Sequence, residues 1–206
     1  MKLFRGAKGK IVRRFGINIF DTLKYDKVLE RRPAPPGQHG VKRKRAKLSE
    51  YGKQLTEKQK LKFAYGLSEK QFRNTYKKAS NMKGAPGVNL MQMLERRLDS
   101  IVFRSGMASS RPQARQMVNH GHFLINQKPA NIPSIQIKAG DKISAVNKVK
   151  ITKLVEECIA KNASRNPMPW LQTDTTKKET VFLRIPERAE IPVLIQEQLI
   201  VELYSR

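Results

Sequence analysis

Residues 97–126 read RLDSIVFRSGMASSRPQARQMVNHGHFLIN, and the fold turns on this stretch. Upstream of it and into it, Leu90, Met93, Leu94, Leu98, Ile101 and Val102 recur at helical spacing. They predict one helix over roughly 88–105, ended by Gly106. Ser109-Ser110-Arg111-Pro112 opens a second, short helix. Serine caps free amides, and proline is tolerated in a first turn where donors lack partners anyway. Ala114, Met117 and Val118 make its inner face, and Gly121 stops it. The period then drops to two: Phe123 and Ile125 alternate with Leu124 and Asn126, and Gln127-Lys128-Pro129 supplies a turn. Ile135 and Ile137 alternate with Gln136 and Lys138, Ala139-Gly140-Asp141 turns again, and Ile143–Val146 closes a third strand. The predicted local order is helix, helix, strand, strand, strand.

The helical pair carries Arg97, Arg104, Arg111 and Arg115, with Gln113, Asn119, His120 and His122 nearby and only Asp99 and Asp141 as acids. Arg111 and Arg115 are four apart, so they share a helix face, which is read as an outer one. Ser109 and Ser110, with the amides that begin the second helix, are read as an anion site suited to phosphate. Guanidinium forks match phosphate oxygens in a way that a lysine point charge does not.

Upstream, residues 1–50 alternate basic residues with turn formers. Pro33, Pro35, Pro36, Gly37 and Gly40 forbid helix around them, and the basic run Lys42-Arg43-Lys44-Arg45 follows. An extended, loop-rich arm is expected. Ile11, Val12, Phe15, Ile17, Ile19, Phe20, Leu23 and Val28 are too many apolar residues for a solvated tail. Helical signals begin near Ser49. Thr56 starts a Thr-x-x-Gln pattern, and Ser68-Glu69-Lys70-Gln71 makes a capping box before Phe72, Tyr76 and Ala79. Downstream, a helix is expected near 151–162, then a polar stretch holding Trp170, a strand at 180–184 and an apolar, acidic helix from Val193 to Tyr204.

Charge narrows the partner. The 206 residues carry 42 Lys and Arg against 17 Asp and Glu, a net charge of +25. Residues 1–96 hold 25 basic and 7 acidic side chains, residues 97–150 hold 9 and 2, and residues 151–206 hold 8 and 8. Such self-repulsion favours a polyanionic partner, and the gradient places that contact on the first two-thirds. No run reaches the ~18 apolar residues of a membrane span. Met1-Lys2-Leu3-Phe4-Arg5 has no apolar stretch behind it, so no secretory signal is expected. Cys158, the single cysteine, sits in an apolar-periodic segment and reads as a core residue in a reducing compartment.

Arg97-Leu98-Asp99, Ser110-Arg111-x-x-Ala114-Arg115, His120-Gly121-His122, Asn126, Pro133-Ser134 and Gly140-Asp141 together resemble the S4 RNA-binding domain. Arg13-Arg14-x-Gly16, Pro35-Pro36-Gly37-Gln38-His39-Gly40, Pro169-Trp170-Leu171 and the closing Gln198–Arg206 resemble the bacterial-type S4 family of small-subunit ribosomal proteins. The resemblance implies an α+β protein with a mainly helical N-terminal domain at 1–94. It also implies a second domain at 95–194 holding the RNA-binding module at 95–157, and a helix at 195–206 packing back on the first domain. It implies binding to the five-prime domain of small-subunit ribosomal RNA, a role in early assembly and accuracy, and ribosomal protein S5 as neighbour. Other small-subunit proteins, and messenger RNA near its path of entry, are further implied partners, with no membrane. A cytoplasmic ribosome is expected, with the plastid stroma as the alternative.

Candidate RNA contacts in the arm are Arg13, Arg14, Arg31, Arg32, Gln38, His39, Lys42, Arg43, Lys44 and Arg45. In the module they are Arg97, Arg104, Ser109, Ser110, Arg111, Gln113, Arg115, His120 and His122. Many relatives carry a zinc-binding cysteine cluster near the N-terminus. Here residues 1–157 contain no cysteine, and His39, His120 and His122 are too far apart in sequence to replace one, so no zinc and no other cofactor is expected.

Two other function classes compete with RNA binding. Arg97-Leu98-Asp99 matches the triplet holding the catalytic aspartate of some pseudouridine synthases. There it lies in a large catalytic domain; here it falls within a helical module, where Asp99 is expected to pair with an arginine. No nucleophile grouping, phosphate loop or paired-carboxylate pocket accompanies it, so no enzyme is expected. A DNA-binding architectural protein fits the charge, but no helix-turn-helix, zinc finger or basic-zipper pattern appears.

Overall fold

A computed structural model of the chain describes residues 6–38, 40, 49–163, 167–193 and 195–205. The architecture is α+β, as expected: among the described residues there are nine α-helices and one five-stranded antiparallel sheet. The chain divides into two compact units, Met1–Gly87 with Val193–Arg206, and Val88–Pro192. Both divisions fall earlier in sequence than the expected 94/95 and 194/195.

In the first unit the arm is not loop throughout. It contains helices α1 (Lys8–Phe15) and α2 (Leu23–Arg31), which corrects the loop-rich reading. The apolar residues that argued against a tail supply the reason. Ile11 and Val12 are buried on α1, and the helix-breaking prolines begin only at Pro33. Gly16 ends α1 at φ +71°, its N–H bonded to the Val12 carbonyl. Helix α3 (Glu50–Ala64) starts at Ser49, whose hydroxyl accepts the Gly52 N–H at 3.2 Å. Thr56 is therefore no cap; it lies mid-helix and donates to the Gly52 carbonyl at 2.6 Å. Helix α4 (Glu69–Ser80) carries the full Ser68/Gln71 capping box.

The chain returns to this unit at its other end. The C-terminal helix, Glu197–Ser205, starts later than the periodicity suggested. Ile200 is fully buried, the Tyr204 ring stacks on Tyr76 at 4.5 Å, and Gln54 Nε2 donates to Glu202 Oε2 at 2.9 Å. Glu69 accepts from Lys58 Nζ at 2.7 Å, Lys62 Nζ at 3.0 Å and the Tyr204 hydroxyl at 3.3 Å. Burial and the Glu69 charge hold the Tyr204 phenol above its ordinary range.

The second unit corrects the expected single helix over 88–105. Helices α5 (Pro86–Glu95) and α6 (Leu98–Arg104) are separate, because Arg97 is extended at φ −66° and ψ 140°. Backbone pairing drives the break: Leu98 N–H bonds the Ile135 carbonyl at 3.0 Å, and Ile137 N–H bonds the Arg96 carbonyl at 2.9 Å. Residues 135–138 thus pair with the helix break through an isolated Arg97–Gln136 bridge, not with the sheet as expected. Helix α7 (Arg111–Asn119) follows as predicted, with Gly121 at φ +68° after it.

The sheet comprises β1 (Phe123–Ile125), β2 (Lys128–Ala130), β3 (Lys142–Ala145), β4 (Leu171–Asp174) and β5 (Glu179–Phe182), in the order β2-β1-β3-β5-β4. The expected turn at Gln127–Pro129 is displaced. Asn126 and Gln127, both at positive φ (48° and 66°), make a two-residue hairpin that pairs Ile125 with Lys128. Pro129 is accommodated because β2 is an edge strand. Helix α8 (Val149–Lys161) links β3 to the second half of the sheet. Leu98, Phe103, Met117, Phe123, Ile143, Val155, Trp170 and Phe182 belong to one core that joins the helical pair to the sheet. The α6–α7 pair is therefore mounted rigidly on its sheet.

Candidate nucleic-acid interface

Two carboxylates are buried beside the helical pair: Glu95 at the end of α5 and Asp99 in the first turn of α6. A buried carboxylate is costly without a cation and good hydrogen bonds. Four arginines answer this requirement. Arg97 grips Asp99 with both fork nitrogens, each at 3.0 Å, and Arg115 Nε reaches the same carboxylate at 2.8 Å. Arg104 Nη2 donates to Glu95 at 2.8 Å, and Arg111 lies 3.8 Å from it with its guanidinium 4.5 Å above the Phe103 ring. Arg97, Arg104 and Arg111 are only 6%, 7% and 6% exposed.

This corrects the outer-face reading of Arg111 and Arg115. Their four-residue spacing does put them on one face, but that face turns toward the α5–α6 carboxylates. Asp99 pairs with arginines, as the sequence suggested. The cluster sets four formal positive charges against two negative ones. Its most accessible guanidinium is that of Arg115, whose side chain is 13% exposed.

The expected anion cradle at the start of α7 is corrected in the same way. Ser110 Oγ accepts the Gln113 N–H at 3.4 Å, and Gln113 Oε1 accepts the Ser109 N–H at 2.9 Å. Ser109 Oγ and Gln113 Nε2 also lie 3.6 and 3.4 Å from the buried Cys158 sulfur. Here Ser109, Ser110 and Gln113 bind one another and seat α7 against α8.

In the arm, Arg13 pins the proline-rich turn: its Nε donates to the Ala34 carbonyl at 2.9 Å and its Nη2 to that of Pro35 at 3.3 Å. Arg14, Arg31, Arg32 and Gln38 are exposed. His39, Lys42, Arg43, Lys44 and Arg45 lie outside the described residues. Exposed Lys10, Lys24 and Lys27 on the first two helices were not singled out from sequence; basic residues interleaved with apolar ones were the available signal.

The third surface lies past the end of α7. The His120 and His122 rings meet edge to face at 5.7 Å, with His120 exposed and His122 partly covered. Burial, then His120 and Lys148, lower the His122 pKa below its ordinary value. Lys148 and Lys150, at the start of α8, line a cleft with both histidines, and sequence reasoning missed them. No motif marks those lysines; only the fold brings residues 120–122 and 148–154 together. Among the described residues no group of three or more His, Cys, Asp or Glu could hold a metal, and no helix is long and apolar enough to cross a membrane.

Known proteins share this arrangement of segments. Residues 4–95 match the family described as ribosomal protein S4/S9 N-terminal domain, and residues 96–143 match the S4 domain. The chain is 49% identical over 201 residues to "Small ribosomal subunit protein uS4" of Borrelia garinii subsp. bavariensis, covering 97% of this chain and 96% of that one. It is equally similar, over the same shares, to the protein of that name from Borreliella burgdorferi. To the Chlorobium phaeovibrioides protein it is 48% identical over 206 residues, 100% of both chains. These relatives are named as ribosomal proteins, not as enzymes. With two family models in tandem and such identity along nearly its whole length, the chain belongs to the uS4 family of small ribosomal subunit proteins.

Proposed function

We propose that this protein is a structural constituent of the small ribosomal subunit that binds the five-prime domain of its ribosomal RNA where several helices converge. It joins early, nucleates assembly, and supports translational accuracy through contact with ribosomal protein S5. Its place is the ribosome of the cytoplasm, near the path of incoming messenger RNA. The observation that carries this reading is the charge distribution: 34 basic against 9 acidic side chains over residues 1–150, and 8 against 8 thereafter. Recognition rests on shape and phosphate position, because most protein–nucleic acid hydrogen bonds go to the backbone and RNA duplex edges are poorly accessible.

Titrating the protein against a five-prime-domain RNA junction in a salt series tests the proposal. Affinity should fall steeply, by roughly 10³–10⁵ between 50 and 200 mM salt for six to ten phosphate contacts. Equal affinity for duplex DNA at matched salt would sink the ribosomal reading and favour a general polyanion binder.

The fold of the arm needs no metal in this reading. Arg13 holds the turn at Ala34 and Pro35, and Ile11 and Val12 bury the first helix, the work that a zinc cluster does elsewhere. Metal analysis of the purified protein should return well under one zinc per chain. Stoichiometric zinc that survives dialysis refutes this.

A further inference from the structure

The cleft between the end of α7 and the start of α8 has a chemistry that the helical pair lacks. Its volume is about 500 Å³, within the ~300–1,000 Å³ of small-ligand sites. Its charged and titratable lining is His120, His122, Lys148 and Lys150, with no acid among the lining residues; Val149 and Leu154 add apolar wall. Its geometry is held by backbone bonds: His122 N–H to the Met117 carbonyl at 3.1 Å, and Val146 N–H to the His122 carbonyl at 3.0 Å. Val149, at the rim, is 73% exposed and adds apolar surface beside the two lysines. His122 Nδ1 is buried and makes no hydrogen bond. The α8 residues of the cleft lie beyond both family matches, which end at 143.

We propose that this cleft receives one nucleotide of an unpaired RNA segment, its phosphate on Lys148 and Lys150 and its base against His120, His122 and Val149. The inference rests on the RNA-binding reading above and extends its surface past the S4 module. Two features of the lining suit RNA. Two lysines without a neighbouring carboxylate call for an anion. Imidazole edges and an exposed apolar rim suit the flat face of an unstacked base, the usual target of single-strand recognition.

The His122 pKa supports this. Burial, His120 and Lys148 favour its neutral form in the free protein. The charged groups facing the ring are His120 from the end of α7 and Lys148 and Lys150 from α8. A phosphate would offset them and raise the pKa.

The test uses the full chain and the five-prime-domain RNA carrying 4-thiouridine in its unpaired segments. Lys148→Gln/Lys150→Gln should fold normally, since both side chains are exposed, and should lower the salt slope by about 0.7–0.9, the contribution of one phosphate. The wild type then loses roughly threefold more affinity than the variant between 50 and 200 mM salt. Crosslinks should map to residues 120–122 and 148–150, and the His122 imidazole should titrate at higher pH in the complex. If wild-type protein does not bind RNA, the underlying reading fails. If it binds steeply and the variant matches its slope and crosslinks, only the cleft assignment is overturned. The cleft assignment also falls if an acidic peptide occupies the cleft and RNA does not shift the His122 resonance.

Discussion

Replacing Glu95 with alanine is expected to destabilise the Val88–Pro192 unit by about 3–5 kcal/mol, the cost typical of leaving a buried ion pair half broken. Glu95 is 0% exposed and receives Arg104 Nη2 at 2.8 Å, with Arg111 at 3.8 Å. Its removal leaves a guanidinium that cannot shed its proton in the interior. The neighbouring Asp99 already holds Arg97 and Arg115, so it is not available as a substitute. A change of this size shifts Tm by more than about 10 °C in a unit of this length. The lone Trp170 is fully buried in the core of the same unit, so its fluorescence reports that unit directly. A Glu95→Ala/Arg104→Ala double variant should recover part of the loss, because the stranded charge is then gone too. A Trp170 midpoint equal to wild type in the single variant would refute the idea that this pair holds the helices together.

The same cluster separates what the sequence discloses from what only folding creates. Spacing correctly places Arg111 and Arg115 on one face, and the charge balance correctly singles out the region. The direction of that face depends on Glu95 and Asp99, which lie on different helices. Period counting joins α5 and α6 into one helix and cannot see that Arg97 leaves the helix to pair with Gln136. Elements whose signals are local are legible: the Ser68/Gln71 box, the Ser110 start of α7, the stop at Gly121 and the β1 and β3 strands. Those set by distant partners are not. Strand β2 is three residues long and contains a proline, and β4 shows one buried apolar residue, Leu171, so neither carries a period. The α7–α8 cleft likewise exists only after folding joins residues 120–122 to 148–154. The arm shows the opposite effect: its prolines argue for loop throughout, yet none precedes Pro33, and the apolar residues before it are free to form helices.

Deleting residues 195–206 should unfold the Met1–Gly87 unit under conditions where the intact chain is stable. The helix at Glu197–Ser205 supplies Ile200, fully buried, and is preceded by Ile195 at 7% exposure. Its Tyr204 ring stacks on Tyr76 and lies 6.2 Å from Phe72. Burying each such side chain contributes about 1.5–3 kcal/mol, and a stacked aromatic pair adds about 0.5–1.5 kcal/mol. Three of them together rival the ~5–15 kcal/mol that stabilises a whole domain. Polar groups compound the loss. Gln54 and Lys58 are buried on α3, and Gln54 gives up its Glu202 acceptor when the helix is removed. Tyr204→Ala is the graded version, with an expected cost of ~2–4 kcal/mol, because Tyr204 is only half-buried and Ile200 remains in place. Hydrogen exchange reads both variants at the right location. Amides of α3 and α4 should lose protection almost completely on deletion and partly in Tyr204→Ala. Protection of α3 that survives deletion would mean that the first unit folds without its C-terminal helix, and the neutral final segment would then need another explanation than packing.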